Sequence, residues 1–379
     1  MAVDSTPQRI SRLTPLEAIL ASIASRVEVA TPSACSLASA HGRVLAADVV
    51  ASKLPREPIA LRDGFAVAAS AVADAGSYTP MPFASPPPWV DAGEAMPAGT
   101  DAVLPLDAVT ILGDRAGAIA SVLPGEGVLA EGGDVSAPTI LRHAGAYLRA
   151  SDIAVMAAAG IADVMVREPR IRIACGSAAK TPLVQAAVDM LTRAIAAVGG
   201  TVFDTDSEPE RLYEALGKAR AHAGFVVGGT GSGRGDSSVR TLARFGRVEA
   251  HGIAVSPGET AAVGYVGSRP VLLLPGRLDS ALAIWLLIGR HLIAKLGGSR
   301  IEDTPKMLLL KRKVTSTIGL VELVPVRFDQ DAVHGTVAYP LASGYLSFES
   351  LTGSDGWISI PADSEGFAAG TQVAVRPWP

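Results

Sequence analysis

The chain of 379 residues carries 33 Lys and Arg against 37 Asp and Glu, a formal charge of −4, which gives no basic footprint for extended nucleic-acid binding. Aromatic residues at 5% are too sparse for a base-stacking platform. Two cysteines, Cys35 and Cys175, build no disulfide framework, and the six scattered histidines (His41, His143, His222, His251, His291 and His334) make no zinc motif.

The length exceeds what one hydrophobic core supports, so two to four domains are expected. Met1–Arg12 is polar and has no signal pattern, which makes the cytoplasm the expected location. Thr14 followed three residues later by Glu17 predicts a capped amphipathic helix over Pro15–Ile23. A turn or helical segment at Ser36–Gly42 leads into a strand over Val44–Val50. From Ser52 to Ser136, proline and glycine recur among short β-prone runs, the pattern of a small β-rich domain. Ile153–Ala159 then reads as a helix stopped by Gly160.

From Ile171 strands and helices alternate. Strands are expected at Ile171–Ala174, Gly200–Phe203, Gly224–Val227 and Val271–Leu274, with helices at Pro182–Val198, Pro209–His222 and from Ser280 onward. This is the pattern of a doubly wound α/β domain with a mainly parallel sheet, whose ligands sit at the strand C-terminal ends. The apolar run Ala281–Ile288 is too short to span a bilayer and reads as a buried helix. Beyond Ile301, the runs Met307–Val314, Leu320–Arg327 and Trp357–Ile360 suggest a second β domain. The expected division is 1–50 with 138–167 (helical and discontinuous), 51–137 (inserted, β-rich), 168–302 (α/β) and 303–379 (β).

The most informative stretch is Gly228-Gly229-Thr230-Gly231-Ser232-Gly233-Arg234-Gly235-Asp236, between an apolar strand and a helix start at Ser237. Strand, glycine turn and helix converge backbone N–H groups on one point, and such a point favours an anion. The turn lacks the lysine of a triphosphate P-loop and misses the dinucleotide glycine spacing. A flexible linker is the bland reading; the closing Asp236 and the preceding strand argue against it. Three acids lie in loops: Asp63 beside Gly64, Asp134 after Gly133, and Asp236. Each alone is an ordinary turn residue; beside a polyanion they would suit Mg²⁺ or an oxyanion. Two further loops, His251–Glu259 and Leu274–Arg277, can face the same sheet edge. His251 reads as a packing or capping residue, and Cys175 as a small buried hydrophobe.

These loops, in this order, make the chain resemble the molybdopterin molybdenumtransferase family, which includes a domain of gephyrin. The resemblance runs from about Thr14 to the C-terminus. It rests on Asp63-Gly64-Phe65-Ala66-Val67, Met96-Pro97-Ala98-Gly99-Thr100-Asp101-Ala102-Val103, Gly133-Asp134-Val135, the Gly228–Gly233 turn with Asp236, His251-Gly252 with Pro257-Gly258, and Leu274-Pro275-Gly276. It implies an elongated homodimer of four-domain subunits with a C-terminal β-barrel. The active cleft would lie between the α/β domain of one subunit and the β insertion of its partner. The implied reaction joins molybdate to the dithiolene of adenylylated molybdopterin, with Mg²⁺-dependent release of AMP. Gly228, Gly229, Thr230, Gly231, Ser232 and Gly233 would hold the pterin ligand, together with Ser177, Pro257, Gly258, Pro275, Gly276 and Arg277. Asp63, Asp134 and Asp236 would be catalytic, with Asp63 and Asp236 also on the metal. A molybdoenzyme or another cofactor-biosynthesis protein is the expected protein partner; no nucleic acid or membrane is expected.

The chain departs from the family pattern in several places, including Ala92-Gly93-Glu94 in the β insertion, where Thr-Gly-Ala is usual and the acidic end survives only as Asp107. Gly176-Ser177-Ala178-Ala179 stands where an acidic pair is usual, Glu259 where a lysine follows Pro-Gly, and Arg277 where an asparagine does. Lys180 and Arg277 would replace lost positive charge. The departures leave open a non-catalytic relative that binds molybdopterin or molybdate as a carrier, regulator or partner-binding protein, or an unrelated phosphosugar or nucleotide binder on the same scaffold.

Overall fold

The computed structural model describes all residues except 1–7, 113–114, 137, 177–180, 207, 219–220, 302 and 379. The chain divides into two compact units: Met1–Ala47 with Ala144–Arg149 and Asp163–Pro379, and Asp48–His143 with Ala150–Ala162.

In the first unit a six-stranded sheet runs in the order Thr201–Asp206, Arg170–Cys175, Ala223–Val227, Arg269–Leu274, Ala262–Val266, Arg247–His251. The first four strands are parallel, Ala262–Val266 runs antiparallel to both of its neighbours, and Arg247–His251 runs with the first four. The mainly parallel sheet therefore ends in a hairpin, joined at Gly267 (φ 60°) and Ser268. Two antiparallel steps return Arg247–His251 to the direction of Arg269–Leu274, so His251 ends up on the same sheet edge as Leu274 and Val227.

Alternation along the parallel strands divides them into two apolar faces. Ile171, Ile173, Phe225, Val227, Leu272 and Leu274 pack with the helix Pro182–Ala197 and the helical run from Leu278. Ala174, Val226, Val271 and Leu273 pack with the helices Pro209–Gly217 and Ser238–Phe245. Val184, Ala187, Val188, Leu191, Ala194 and Ile195 form the buried stripe of Pro182–Ala197, and Thr181 caps it by accepting from Val184 N–H at 3.3 Å. The helix expected to reach His222 ends at Gly217.

The run containing Ala281–Ile288 is longer than its apolar stretch indicates. It covers Leu278–Gly297, long and apolar enough to cross a membrane, yet 78% of its most apolar window is buried inside the protein, as in a core helix. Near its end, burial and then the neighbouring Arg290 lower the pKa of His291 from 6.5 to about 4. A histidine held neutral only in the folded state costs stability wherever the unfolded chain protonates first. We therefore expect Tm to fall as pH drops from 6.5 to about 4, and His291→Gln to remove part of that slope in pH-resolved thermal melts, the remainder coming from His222, which burial also holds below 6.5. Asp329, whose pKa is lowered by its bond to Lys311, acts below its ordinary value of 3.8 and so outside this window.

Thr14 is not the helix cap. Pro15 holds the N-cap position of Leu16–Arg26, and Thr14 pairs with Ile253, donating to Gly252 O at 2.9 Å and accepting from Ala254 N–H at 2.8 Å. The segment expected as one strand over Val44–Val50 forms two short ones, Val44–Leu45 and Val49–Ala51. The C-terminal region is β-rich: the long strand Val321–Asp331 pairs with Val255–Ser256, Gly335–Pro340 and Gly356–Ile360.

The second unit is built from short paired strands around Phe65, Val67, Val72, Leu104 and Ala118. Its central three-stranded sheet is Trp89–Val90, Gly64–Val67, Ala102–Leu104, and the helix Ala150–Ala158 closes the unit's sequence.

Candidate functional site

Three parallel strands end together at Cys175, Val227 and Leu274, and their ladder extends one residue into the loops. Gly176 N–H donates to Val227 O and Gly228 N–H to Leu274 O, both at 2.8 Å. The glycine turn thus starts at the strand C-terminal ends, between strands whose connections leave in opposite directions, where open α/β sheets bind ligands. Glycine is required here. Gly229 has φ 71°, and a Cβ on it would lie 2.3 Å from Gly176 O and 2.4 Å from Ser238 Oγ. On Gly176 a Cβ would lie 2.0 Å from Ser238 Oγ. Ser238 fills that space by donating to Gly228 O at 2.8 Å and Gly176 O at 3.2 Å.

Thr230 is 2% exposed. Its carbonyl accepts from His251 Nε2 at 2.9 Å, and its hydroxyl lies 3.1 Å from Thr260 Oγ1. A carbonyl can only accept, so His251 carries its proton on Nε2. The histidine braces the turn, in keeping with its reading as a capping residue. Asp236 closes the turn: Oδ2 accepts from Gly233 N–H at 2.9 Å, while Oδ1 has no partner among the described residues. Arg234 is exposed and has no acidic partner among them.

The expectation that the whole strand–turn–helix junction is open to an anion needs one correction. The first free amides of the helix, Val239 and Arg240, donate to Gln8 Oε1 at 2.9 and 3.1 Å, so the helix N-terminus is already capped. Ser238 N–H donates to Gly229 O at 3.0 Å. The amides of Gly229, Thr230, Gly231 and Ser232 remain without an acceptor among the described residues. Gly229 and Thr230 are buried, and buried amides are nearly always paired. Those amides are the donors available to a ligand.

Pro257, Gly258, Pro275 and Arg277 line one cleft of about 350 Å³ with Glu259, Thr260 and Tyr345. Arg277 bonds both oxygens of the buried Asp279 at 3.2 and 3.3 Å and stacks 4.6 Å from the Tyr345 ring centroid. The bond to Asp279 raises the pKa of the guanidinium above its ordinary value. Glu259 accepts from Gly258 N–H at 3.1 Å. A Cβ on Gly276 would lie 3.4 Å from Gly228 Cα, so the Pro275–Arg277 loop packs directly on the turn. Ser177, Ala178, Ala179 and Lys180 lie outside the described residues.

Asp63 and Asp134 belong to the second unit and are exposed. Asp63 Oδ1 accepts from Ala92 N–H at 2.8 Å, and Asp134 N–H donates to Leu54 O at 3.1 Å. Among the described residues no three His, Cys, Asp or Glu side chains gather into a metal-binding group. Gln8 and Thr260 were not legible as site residues. Gln8 lies in no motif and reaches partners more than 220 positions away, and Thr260 only ends the stretch Pro257-Gly258-Glu259-Thr260, at a place where the family resemblance gives proline.

Comparison with known proteins gives a consistent result. Residues 14–160 match the MoeA N-terminal region (domains I and II), 181–295 a probable molybdopterin binding domain, and 308–378 the MoeA C-terminal region (domain IV). A molybdopterin molybdenumtransferase of Mycobacterium tuberculosis is 26% identical over 396 aligned positions, covering 93% of this chain and 96% of that one. A protein of Methanocaldococcus jannaschii named for molybdopterin biosynthesis is 32% identical over 171 residues, covering 44% of this chain and only 40% of its own length. Among solved structures, a molybdopterin biosynthesis MoeA protein from Pyrococcus horikoshii superposes with a TM-score of 0.73 at 23% identity, over 97% of this chain and all of that one.

Proposed function

The chain belongs to the molybdopterin molybdenumtransferase family, and from that premise we propose that it acts in molybdenum cofactor biosynthesis, joining molybdate to the dithiolene of adenylylated molybdopterin with release of AMP. The observation that carries the reading is the set of amides at Gly229–Ser232 that have no acceptor among the described residues, at the C-terminal edge of a parallel sheet within the molybdopterin-binding match. Rigid N–H groups at such an edge bind a phosphate without reorganising.

In this reading the turn Gly228–Gly233 holds the pterin phosphate, and Asp236 presents its free oxygen beside it. Pro257, Gly258, Pro275 and Arg277 line the neighbouring cleft, and Gly276 packs against the turn. Ser177, Asp63 and Asp134 are assigned by family position alone. Mg²⁺ would arrive with the substrate phosphates, since it is commonly held by one or two carboxylates, phosphate oxygens and water. We further propose a cytoplasmic homodimer that passes its product to a molybdoenzyme or another cofactor-biosynthesis protein. Sedimentation tests the dimer.

The test of function is AMP release from adenylylated molybdopterin, supplied with molybdate and Mg²⁺. Release that depends on molybdate is the expected result. Tight retention of the pterin without release would leave only the non-catalytic carrier, which the family relationships do not favour. Neither binding nor release would remove the assignment altogether.

A further inference from the structure

Gln8 precedes the first family match and lies in no motif, yet it is 6% exposed and makes four hydrogen bonds to the ligand turn and its helix. Nε2 donates to Gly229 O and to Gly231 O, both at 3.0 Å. Oε1 accepts from Val239 N–H at 2.9 Å and Arg240 N–H at 3.1 Å. The local N-cap, Ser237, makes no side-chain cap of its own, so Gln8 caps the helix from the far end of the sequence.

We infer that Gln8 is a positioning residue that aims the turn's free amides at the ligand phosphate. The geometry follows from the peptide unit. The bonds between Gly229 and Thr230, and between Gly231 and Ser232, are trans, and in a trans peptide C=O and the next N–H point in opposite directions. Fastening the carbonyls of Gly229 and Gly231 on one carboxamide therefore turns the N–H groups of Thr230 and Ser232 to the opposite side. Both lack an acceptor among the described residues, and alternate N–H groups on one side of a loop suit the oxygens of a phosphate. The same side chain fills the helix end with a neutral group, so the phosphate is held by the turn and not by the helix N-terminus. The identity of the anion rests on the molybdopterin reading; the hold on the turn does not.

Two substitutions in the full chain separate capping from positioning. Gln8→Ala removes both. Gln8→Glu keeps an acceptor for Val239 and Arg240 but loses the donor to the two carbonyls. In the unliganded protein, hydrogen exchange followed by mass spectrometry should rise about tenfold at Ser238, whose N–H is bonded to the Gly229 carbonyl that Gln8 fastens, in both variants, while Val239 and Arg240 stay protected in Gln8→Glu only. The Kd for molybdopterin should rise about tenfold in both. Salt at about 0.5 M, which screens the added carboxylate, should not restore Gln8→Glu. Unchanged exchange at Ser238, or a Kd for Gln8→Ala within about twofold of wild type, would overturn the inference. If the wild-type chain fails to bind molybdopterin, the functional reading falls, and the exchange result still decides whether Gln8 holds the turn.

Discussion

Gly229→Ala should lower Tm by roughly 5–9 °C and weaken molybdopterin binding at least about a hundredfold, whereas Gly235→Ala should leave both close to wild type. The two glycines lie six positions apart in one loop and differ in what surrounds them. At Gly229 the backbone has φ 71°, and a methyl group would lie 2.3 Å from Gly176 O and 2.4 Å from Ser238 Oγ. The hydroxyl could rotate away. The Gly176 backbone has less room to move, because its N–H bond to Val227 O holds the residue at the end of the sheet. Left-handed strain and overpacking together cost about 3–5 kcal/mol. The turn can relieve this only by moving off the strand ends, which carries the amides of Thr230 and Ser232 with it. At Gly235 nothing lies within 4 Å of the added carbon, and φ is outside the left-handed region. Adding Ser238→Ala to Gly229→Ala should recover little, since the contact with Gly176 O remains. Thermal melts with parallel pterin titrations check the series. Equal effects at Gly229 and Gly235 would mean that the turn is not held in this conformation.

Much of the sheet was legible because fully buried parallel strands read as unbroken apolar runs. Gly224–Val227 and Val271–Leu274 were found within two residues of their ends. Strand direction at the sheet edge was not legible from apolarity, although Gly267-Ser268 between two β-prone runs is a hairpin signal. The glycine turn announced itself by composition, and its need for glycine is borne out by the contacts at Gly176 and Gly229. What could not be read was occupancy of the helix end. A helix N-terminus offers the same amides to a phosphate or to a side chain of the same protein, and no local pattern marks a glutamine more than 220 residues away as the occupant. The capping box at Thr14 failed for a related reason. Tertiary pairing with Ile253 claimed the backbone of a residue whose spacing matched a local motif.

Glu259→Lys should strengthen the interaction with the anionic substrate, lowering its KM about four- to three-hundredfold. The cleft beside the turn holds two carboxylates, Glu259 and Asp279, against one guanidinium, Arg277, which is already paired with Asp279. It therefore opposes a polyanion where the family resemblance leads one to expect lysine. One unit charge about 10 Å away is worth about 0.4–1.7 kcal/mol between the dielectric limits of water and a protein surface, and the substitution changes the charge by two. Glu259→Gln changes it by one, so its effect should be close to the square root of the lysine effect. Both should shrink with added salt, since the side chain is only half-buried. The fold should tolerate either change, because the present role of Glu259 is a single 3.1 Å bond from Gly258 N–H. If Glu259 instead accepts a hydrogen bond from the N–H edge of the ligand, both substitutions will weaken binding, and added salt will not reverse the order. Substrate KM measured for the three proteins at two ionic strengths distinguishes a charge that repels the substrate from one that recognises it.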